Sequence, residues 1–329
     1  MAITTIPGGE VVADLSVDRP PKPRRERSTL ASIGLHATLL VAVFIALFPV
    51  VWVLLGSLKP GYAIQSTEIH LFDHPSLDNY KHVLLDTSFP RWFWNSVVVA
   101  VFTMVIGISM SATAGYALSR FNFPGKRGLM WVFLLTQMFP VAILIVPIYT
   151  IMANLNLIDT KVSLVIAYCT VAVPFCAWMM RGYFDTIPKE LDEAASLDGL
   201  GPFGTFWRVI LPLARPGIAV TAFYTFITAW GEVAYAIAFI QTDKNLTLGA
   251  GLQQFVPRYN PQWESLTAGA VLITIPAGLV FFFVQKHLVA GLTAGGTKLS
   301  ASVGACGCSW RWSRRTRSWS TSRSSSSPG

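Results

Sequence analysis

The chain has 329 residues, of which 53% are hydrophobic and 13% charged. An ordinary soluble domain carries about 25% charged residues, and here the mean hydropathy is +0.51 with the apolar residues gathered in long runs. These features exclude a water-soluble enzyme of two ordinary domains. The net charge of +8 does not point to nucleic acid, because the basic residues sit in short clusters beside apolar spans, the pattern that orients membrane helices.

The first segment, residues 1–32, is basic and rich in proline, with Pro20, Pro21 and Pro23 among Arg19, Lys22, Arg24, Arg25 and Arg27. It holds no short apolar core ahead of a small-residue cleavage site, so the apolar run that follows reads as a retained anchor. A crossing helix needs ~20 predominantly apolar residues. Six such spans are predicted, over 33–58, 96–119, 129–152, 162–180, 217–240 and 266–284. The expected fold class is therefore all-α, a polytopic membrane protein of six transmembrane helices filling residues 33–298. Pro49, Pro140, Pro147, Pro174 and Pro276 fall inside spans, where neighbouring helices can re-satisfy the freed carbonyls.

Assigning both termini and the second and fourth loops to the inside places nineteen Lys and Arg there against six outside, so both termini are expected in the cytoplasm. Trp92, Phe93 and Trp94 before the second span, and Trp263 before the sixth, read as interfacial anchors. Gly107, Ser111 and Gly115 recur every four residues, a stripe that permits close helix contact within the chain or with a partner. Cys169 and Cys176 share one helix face and read as packing thiols. Cys306 and Cys308 form a lone pair without the second pair of a metal site.

The inner segment 185–212 is the most informative. Pro188 and Glu190 suit the start of a helix, Gly199 its end, and Pro202 the start of a second helix with Phe203, Phe206 and Trp207 as an apolar stripe that Pro212 interrupts. Five acids (Asp185, Glu190, Asp192, Glu193, Asp198) stand against Lys189. An acidic helix pair gains nothing from an anionic leaflet, so it is expected to project into the cytoplasm and offer its apolar face to a protein pocket.

Glu193-Ala194-Ala195, Gly199 and Val209-x-Leu211-Pro212, at these spacings, resemble the EAA loop of ABC importer permeases, with Val where the family usually has Ile. Phe123-Pro124-Gly125-Lys126, Gln137-Met138-Phe139-Pro140, Gly182-Tyr183-Phe184, Thr247-Leu248, Gln253-Gln254 and the run 291–298 are similar to the G-type permease subunit of maltose/maltodextrin transporters. The resemblance implies a type I ABC importer permease fold (MetI-like) in the bacterial cytoplasmic membrane. The implied partners are a second, F-type permease, a homodimeric ATPase subunit and an extracytoplasmic solute-binding protein. The implied cargo is a maltose/maltodextrin-type oligosaccharide, with trehalose or another oligosaccharide as the alternative and an ion-driven secondary transporter as the more distant one.

Glu190, Glu193, Ala194, Ala195, Asp198, Gly199, Leu211 and Pro212 would then form the ATPase-coupling loop. The small residues would permit close docking, and the acids would add polar contacts. ATP and Mg would be used by the partner ATPase, with no cofactor or metal bound by this chain. Thr247, Gln253 and Gln254 are the candidate contacts to the binding protein.

Glu232, beside Tyr235 and near the outer end of the fifth span, is a candidate for the translocation path or outer gate because an intramembrane carboxylate is costly. A structural hydrogen bond is the competing reading. Gln137 is a cheaper candidate for the same path. Gly199-x-Gly201-x-x-Gly204 matches the dinucleotide fingerprint as a string but follows an expected helix rather than a strand, and Gly125-Lys126-Arg127 lacks the upstream glycine of a P-loop. His36, His70, His74, His82 and His287 are scattered, so catalysis is not indicated. From residue 299 to 329 the composition turns to Ser, Arg and Trp; that tail is expected to be disordered and is compatible with a frame-shifted reading or an artificial junction.

Overall fold

The protein is described by a computed structural model over residues 29–60, 75–259 and 261–309, with side chains from 32 onward and up to 286. The N-terminal basic segment, His70, His74, the side chains of the 291–298 run and the Cys-x-Cys pair, and the tail from 310, lie outside the described residues. The chain divides after Val51 into two units. The first unit ends within α1 (Thr29–Ser57), whose stretch Ser32–Ser57 is long and apolar enough to cross a membrane.

The second unit starts with a short α2 (Asp78–Lys81). It continues through α3 (Phe89–Arg120), α4 (Lys126–Thr136), α5 (Val141–Asn154) and α6 (Lys161–Phe184). The helix pair α7 (Glu190–Leu197) and α8 (Pro202–Leu213) follows. Then come α9 (Arg215–Trp230), α10 (Ala234–Phe239), α11 (Leu248–Leu252) and α12 (Trp263–Ser309). No strand occurs among the described residues. α3, α6 and the Trp263–Lys286 part of α12 are long and apolar enough to span. α12 itself continues to Ser309, past the expected domain boundary at 298.

Two expected spans are broken. Across 129–152, α4 and α5 meet at 107°. Pro140 has no N–H to continue α4 and disfavours helical geometry at Phe139. α4 closes in a tight turn, with Gln137 N–H on the Leu134 carbonyl at 3.2 Å and Met138 N–H on that of Leu135 at 3.0 Å. The expected continuous helix over 217–240 instead stops at Trp230, where Gly231 N–H closes on the Ile227 carbonyl at 3.0 Å, and restarts as α10. α8 carries its own irregularity, a wide π turn at Phe206–Ile210. Pro212 cannot donate to the Arg208 carbonyl and its ring crowds that turn.

α3 and α6 pack along each other, α9 lies against both, and α12 packs on α9. The Gly107–Ser111–Gly115 stripe is used within the chain. The Ser111 hydroxyl reaches the Val173 carbonyl at 3.4 Å, and Gly107 faces Thr225 of α9. Cys176 Sγ lies 3.4 Å from the Thr225 hydroxyl, in keeping with a packing thiol. Within the stripe the closest approach is at Gly115, where an added Cβ would sit 2.8 Å from Met180 Cβ and 2.9 Å from the Arg181 backbone nitrogen. Backbone cannot yield to that contact, so overpacking there should cost about 1–3 kcal/mol. Gly115→Ala should lower the apparent melting temperature in detergent, whereas Gly182→Ala, where an added Cβ meets nothing within 4 Å, should leave it unchanged or raise it. Equal melting of the two variants would contradict the close crossing.

Candidate functional site

The helix pair α7–α8 forms where its punctuation predicts. α7 ends in a Schellman motif: Leu200 N–H bonds the Ala195 carbonyl at 3.0 Å and Gly199 N–H the Ser196 carbonyl at 3.1 Å, with Gly199 at φ +82°. That left-handed conformation costs an L-residue roughly 1–2 kcal/mol, and it explains the glycine, because an added Cβ would meet nothing within 4 Å. Beneath the pair lies an aromatic core. The Tyr116 ring centroid is 4.9 Å from that of Phe206 and 5.9 Å from that of Phe184, with Met180, Ile210 and Ala214 around them.

The pair does not simply project away from the bundle. Two of its acids turn back onto the last turn of α3. Asp192 Oδ2 is 2.9 Å from Arg120 Nε and Asp192 Oδ1 accepts from the Tyr116 hydroxyl at 3.0 Å. The Ser119 hydroxyl donates to Asp185 Oδ1 at 2.6 Å. Arg120 also donates through Nη2 to the Ile187 carbonyl at 3.0 Å, and Arg181 Nε lies 3.5 Å from Asp185 Oδ2. Arg120 is 7% and Asp192 20% exposed, so water screens their pair weakly. Sequence reasoning missed Tyr116, Ser119 and Arg120. The available signal was an i, i+4 Tyr–Arg pair closing a span just ahead of an acid-rich loop.

The inner face of the pair is thus Asp192, Ala195, Phe206 and Ile210, all packed on the chain itself except for the part-exposed Asp192. Leu211 packs on the same core, while Pro212 is exposed. The outer face carries Glu190, Glu193, Ala194, Asp198 and Gly199, together with Leu197 at 90% exposure, Phe203 at 74% and Trp207 at 53%. Exposed apolar side chains of this size rimmed by acids mark an interaction surface.

The other candidates lie elsewhere. Gln137 sits at the α4–α5 break, donates to the Val171 carbonyl at 3.2 Å, and lines a cavity of about 270 Å³ with Phe139, Leu144 and Thr170. Glu232 fills the break between α9 and α10, where its carboxylate accepts the N–H groups of Ala234 at 3.0 Å and Tyr235 at 3.1 Å. Tyr235 is fully buried, its ring 5.4 Å from Phe239. The Tyr168 hydroxyl lies near the Glu232 carboxylate but outside hydrogen-bonding geometry. Glu232 thus caps the start of α10, and Gln137 lines a cavity.

At the end of the bundle opposite α7–α8, Asp243 accepts from Ser88 Oγ at 2.8 Å and Trp92 Nε1 at 3.0 Å, and Asn95 donates to the Lys244 and Leu246 carbonyls at 2.9 and 2.8 Å. Thr247 is buried there, whereas Gln253 and Gln254 are exposed. Asp159, at φ +59°, clasps the next loop, accepting from Gln241 N–H at 3.0 Å, Thr242 N–H at 3.1 Å and the Thr242 hydroxyl at 2.8 Å. Burial alone would raise its pKa, but the Thr242, Gln241 and Asn245 donors hold it below the ordinary 3.8.

These features meet those of known proteins at one point. The sequence profile of the binding-protein-dependent transport system inner membrane component matches residues 104–294, more than half of the chain, and the chain belongs to that family. It is an ABC importer permease and a component of the inner membrane. It is 34% identical over 255 residues to the maltodextrin transport system permease protein of Streptococcus pneumoniae, covering 77% of this chain and 91% of that one. It is also 34% identical over 255 residues to the trehalose transport system permease protein of Mycobacterium tuberculosis, covering 77% and 93%. In fold it resembles a chain of a bacterial ABC transporter that imports the acidic polysaccharide alginate, with a TM-score of 0.69 at 23% identity over 81% of this chain and 99% of that one.

Two outcomes follow from the geometry. Arg120→Gln or Asp192→Asn alone should destabilise by on the order of 2 kcal/mol, less than a fully buried pair because Asp192 keeps some water, and the double variant should lose less than the sum. Strict additivity in a melting cycle would remove the pair from the account. For Asp159, a lowered native pKa stabilises the clasp fully above 3.8 and loses that contribution as pH falls through the lower native value. Wild-type and Asp159→Asn melting temperatures should therefore converge on acidification below 3.8, and a gap that persists at acid pH would refute the clasp.

Proposed function

We propose that this chain is the membrane-spanning subunit of an ATP-driven oligosaccharide importer, and that α7–α8 is the surface on which a separate ATPase subunit docks. The observation that carries the reading is the two-faced construction of the helix pair. Its inner face is fixed to α3 by Arg120 and Asp192, and its outer face leaves Leu197 and Phe203 in solvent. A push on the outer face would pass through Arg120 into α3. Glu190, Glu193 and Asp198 rim that face and favour a basic partner surface. Ala194 allows close approach, while Ala195 is spent on packing within the chain.

The remaining parts follow from the same reading. ATP and Mg are consumed by the partner ATPase, a second permease subunit completes the passage, and an extracytoplasmic solute-binding protein delivers the sugar to the face bearing Gln253 and Gln254. The Lys and Arg distribution supports an orientation with both termini in the cytoplasm. Maltodextrin-type oligosaccharides are the first cargo to test. Trehalose is the second, since a trehalose permease is as similar, at 34% identity, as one of the maltodextrin permeases.

The test is sugar uptake into proteoliposomes holding this chain and its partner permease, with binding protein outside, with and without the ATPase and internal ATP. Uptake should require both, and a panel of maltodextrins, trehalose and other oligosaccharides assigns the cargo. Leu197→Asp and Phe203→Asp should each cut ATP-driven uptake by more than about tenfold, as expected for central anchors of an interface, without altering membrane insertion or melting. Gly199→Asp should also lose uptake, but with a lowered melting temperature, because its backbone at φ +82° strains any L-residue placed there. Uptake driven by an ion gradient without the ATPase would replace this reading with a secondary transporter.

A further inference from the structure

The break between α4 and α5 borders the cavity of about 270 Å³ that Gln137 shares with Thr136, Phe139, Leu144, Thr170 and Val171. Eleven residues of α4 precede the break and fourteen of α5 follow it. Residues 132–135 before it and 141–146 after it are apolar throughout. Irregular backbone between two apolar membrane helices is tolerated only where it is buried in protein or lines a water-filled space. In this chain it is not buried. Met138 is 78% and Phe139 56% exposed, and among the described residues Phe139 N–H has no acceptor.

The polar groups at the cavity are only partly used. Gln137 spends one N–H on the Val171 carbonyl at 3.2 Å; its other N–H and its Oε1 have no partner among the described residues. The Thr136 and Thr170 hydroxyls give their protons to their own helices, at the Phe133 carbonyl (2.9 Å) and the Ala167 carbonyl (2.6 Å). Their oxygens are left as acceptors. Polar as well as carbon surface lines the space, and no lining residue is charged. The cavity thus combines one free amide donor, acceptors on three side chains and the ring of Phe139.

We propose that this cavity is a subsite for one sugar ring of the transported oligosaccharide, a reading that rests on the transport function proposed above. A pyranose carries hydroxyls around its rim, each able to donate and accept, and C–H groups on its faces. Gln137 takes and gives hydrogen bonds to two rim hydroxyls, Thr136 and Thr170 accept from others, and Phe139 covers a C–H face. An acyl chain would leave every one of these polar groups unsatisfied, and an ion would meet no charge to pair with. The volume lies below the ~300–1,000 Å³ of pockets for drug-sized ligands, so it admits a single ring and leaves the rest of the chain outside.

The experiment uses proteoliposomes of the full complex, with labelled maltotriose or trehalose on the binding protein, and records uptake together with ATP hydrolysis. Gln137→Leu and Phe139→Leu should each lower the sugar imported per ATP by roughly tenfold, the loss of one hydrogen bond or one ring contact in a dry site. Stimulation of ATP hydrolysis by the binding protein should persist in both. Phe139→Tyr keeps the ring and should transport normally, as should Met138→Leu, which sits at the same break outside the cavity lining. An unchanged sugar-to-ATP ratio in both leucine variants, beside an active wild type, would overturn the subsite and leave the transport reading standing. An equal fall in Met138→Leu would assign the effect to the shape of the break, and failure of the leucine variants to co-purify with the partner permease would make the cavity a subunit interface; either result overturns the proposal. A wild type that imports neither sugar with ATPase and ATP present would overturn the transport reading and this subsite with it.

Discussion

α3 is held at both ends by carboxylates that arrive from distant loops, and the remaining architecture depends on that. At its start, Asp243 takes hydrogen bonds from Ser88 and Trp92, an anion placed against the positive end of the helix. At its finish, Arg120, a cation at the negative end, holds Asp192 and the Ile187 carbonyl. Between these ends Gly115 brings α3 into backbone contact with α6. A helix pinned in this way cannot slide without carrying the α7–α8 pair and the opposite loop with it.

The breaks in the other helices obey the constraint that lipid imposes on backbone. Inside a membrane every freed N–H and carbonyl must find a partner within the protein. At the α9–α10 break the Glu232 carboxylate takes the amides that α9 no longer serves. At the α4–α5 break Gln137 reaches across to α6. The same economy explains the structural part of the intramembrane acid: Glu232 accepts the two amides at the start of α10. At the α4–α5 break, Gln137 and its partner Val171 both line a cavity.

Much of this was legible in the residues. The spans that became α1, α3, α6 and α12 announce themselves by uninterrupted apolar length, and the α7–α8 pair by Pro188, Gly199 and Pro202, because local chain chemistry alone sets those ends. The bend at Pro140 and the stop at Gly231 were not legible as breaks, since a membrane helix can tolerate either residue and tertiary contacts decide. Nor was the inward turn of Asp192, whose partner Tyr116 lies 76 residues away. A count of acids gives the charge of a loop but not which acids a nearby arginine will claim. The loop was expected to project as a whole; instead Asp185 and Asp192 became structural and left Glu190, Glu193 and Asp198 outside.

That division changes what each small residue of the pair can mean. Gly199 is required by its own backbone, at φ +82°, whether or not anything docks on it. Ala195 is required by the core beneath it. Substituting either disturbs folding of the helix pair before it disturbs any partner, so neither can isolate docking. Leu197 and Phe203 have no comparable duty: their side chains stand mostly in solvent, and solvent exposure of two large apolar groups beside a row of acids is unfavourable unless something covers them. In the proposed docking, the contact would therefore fall to residues outside the most recognisable part of the motif, while the recognisable part builds the turn that presents them.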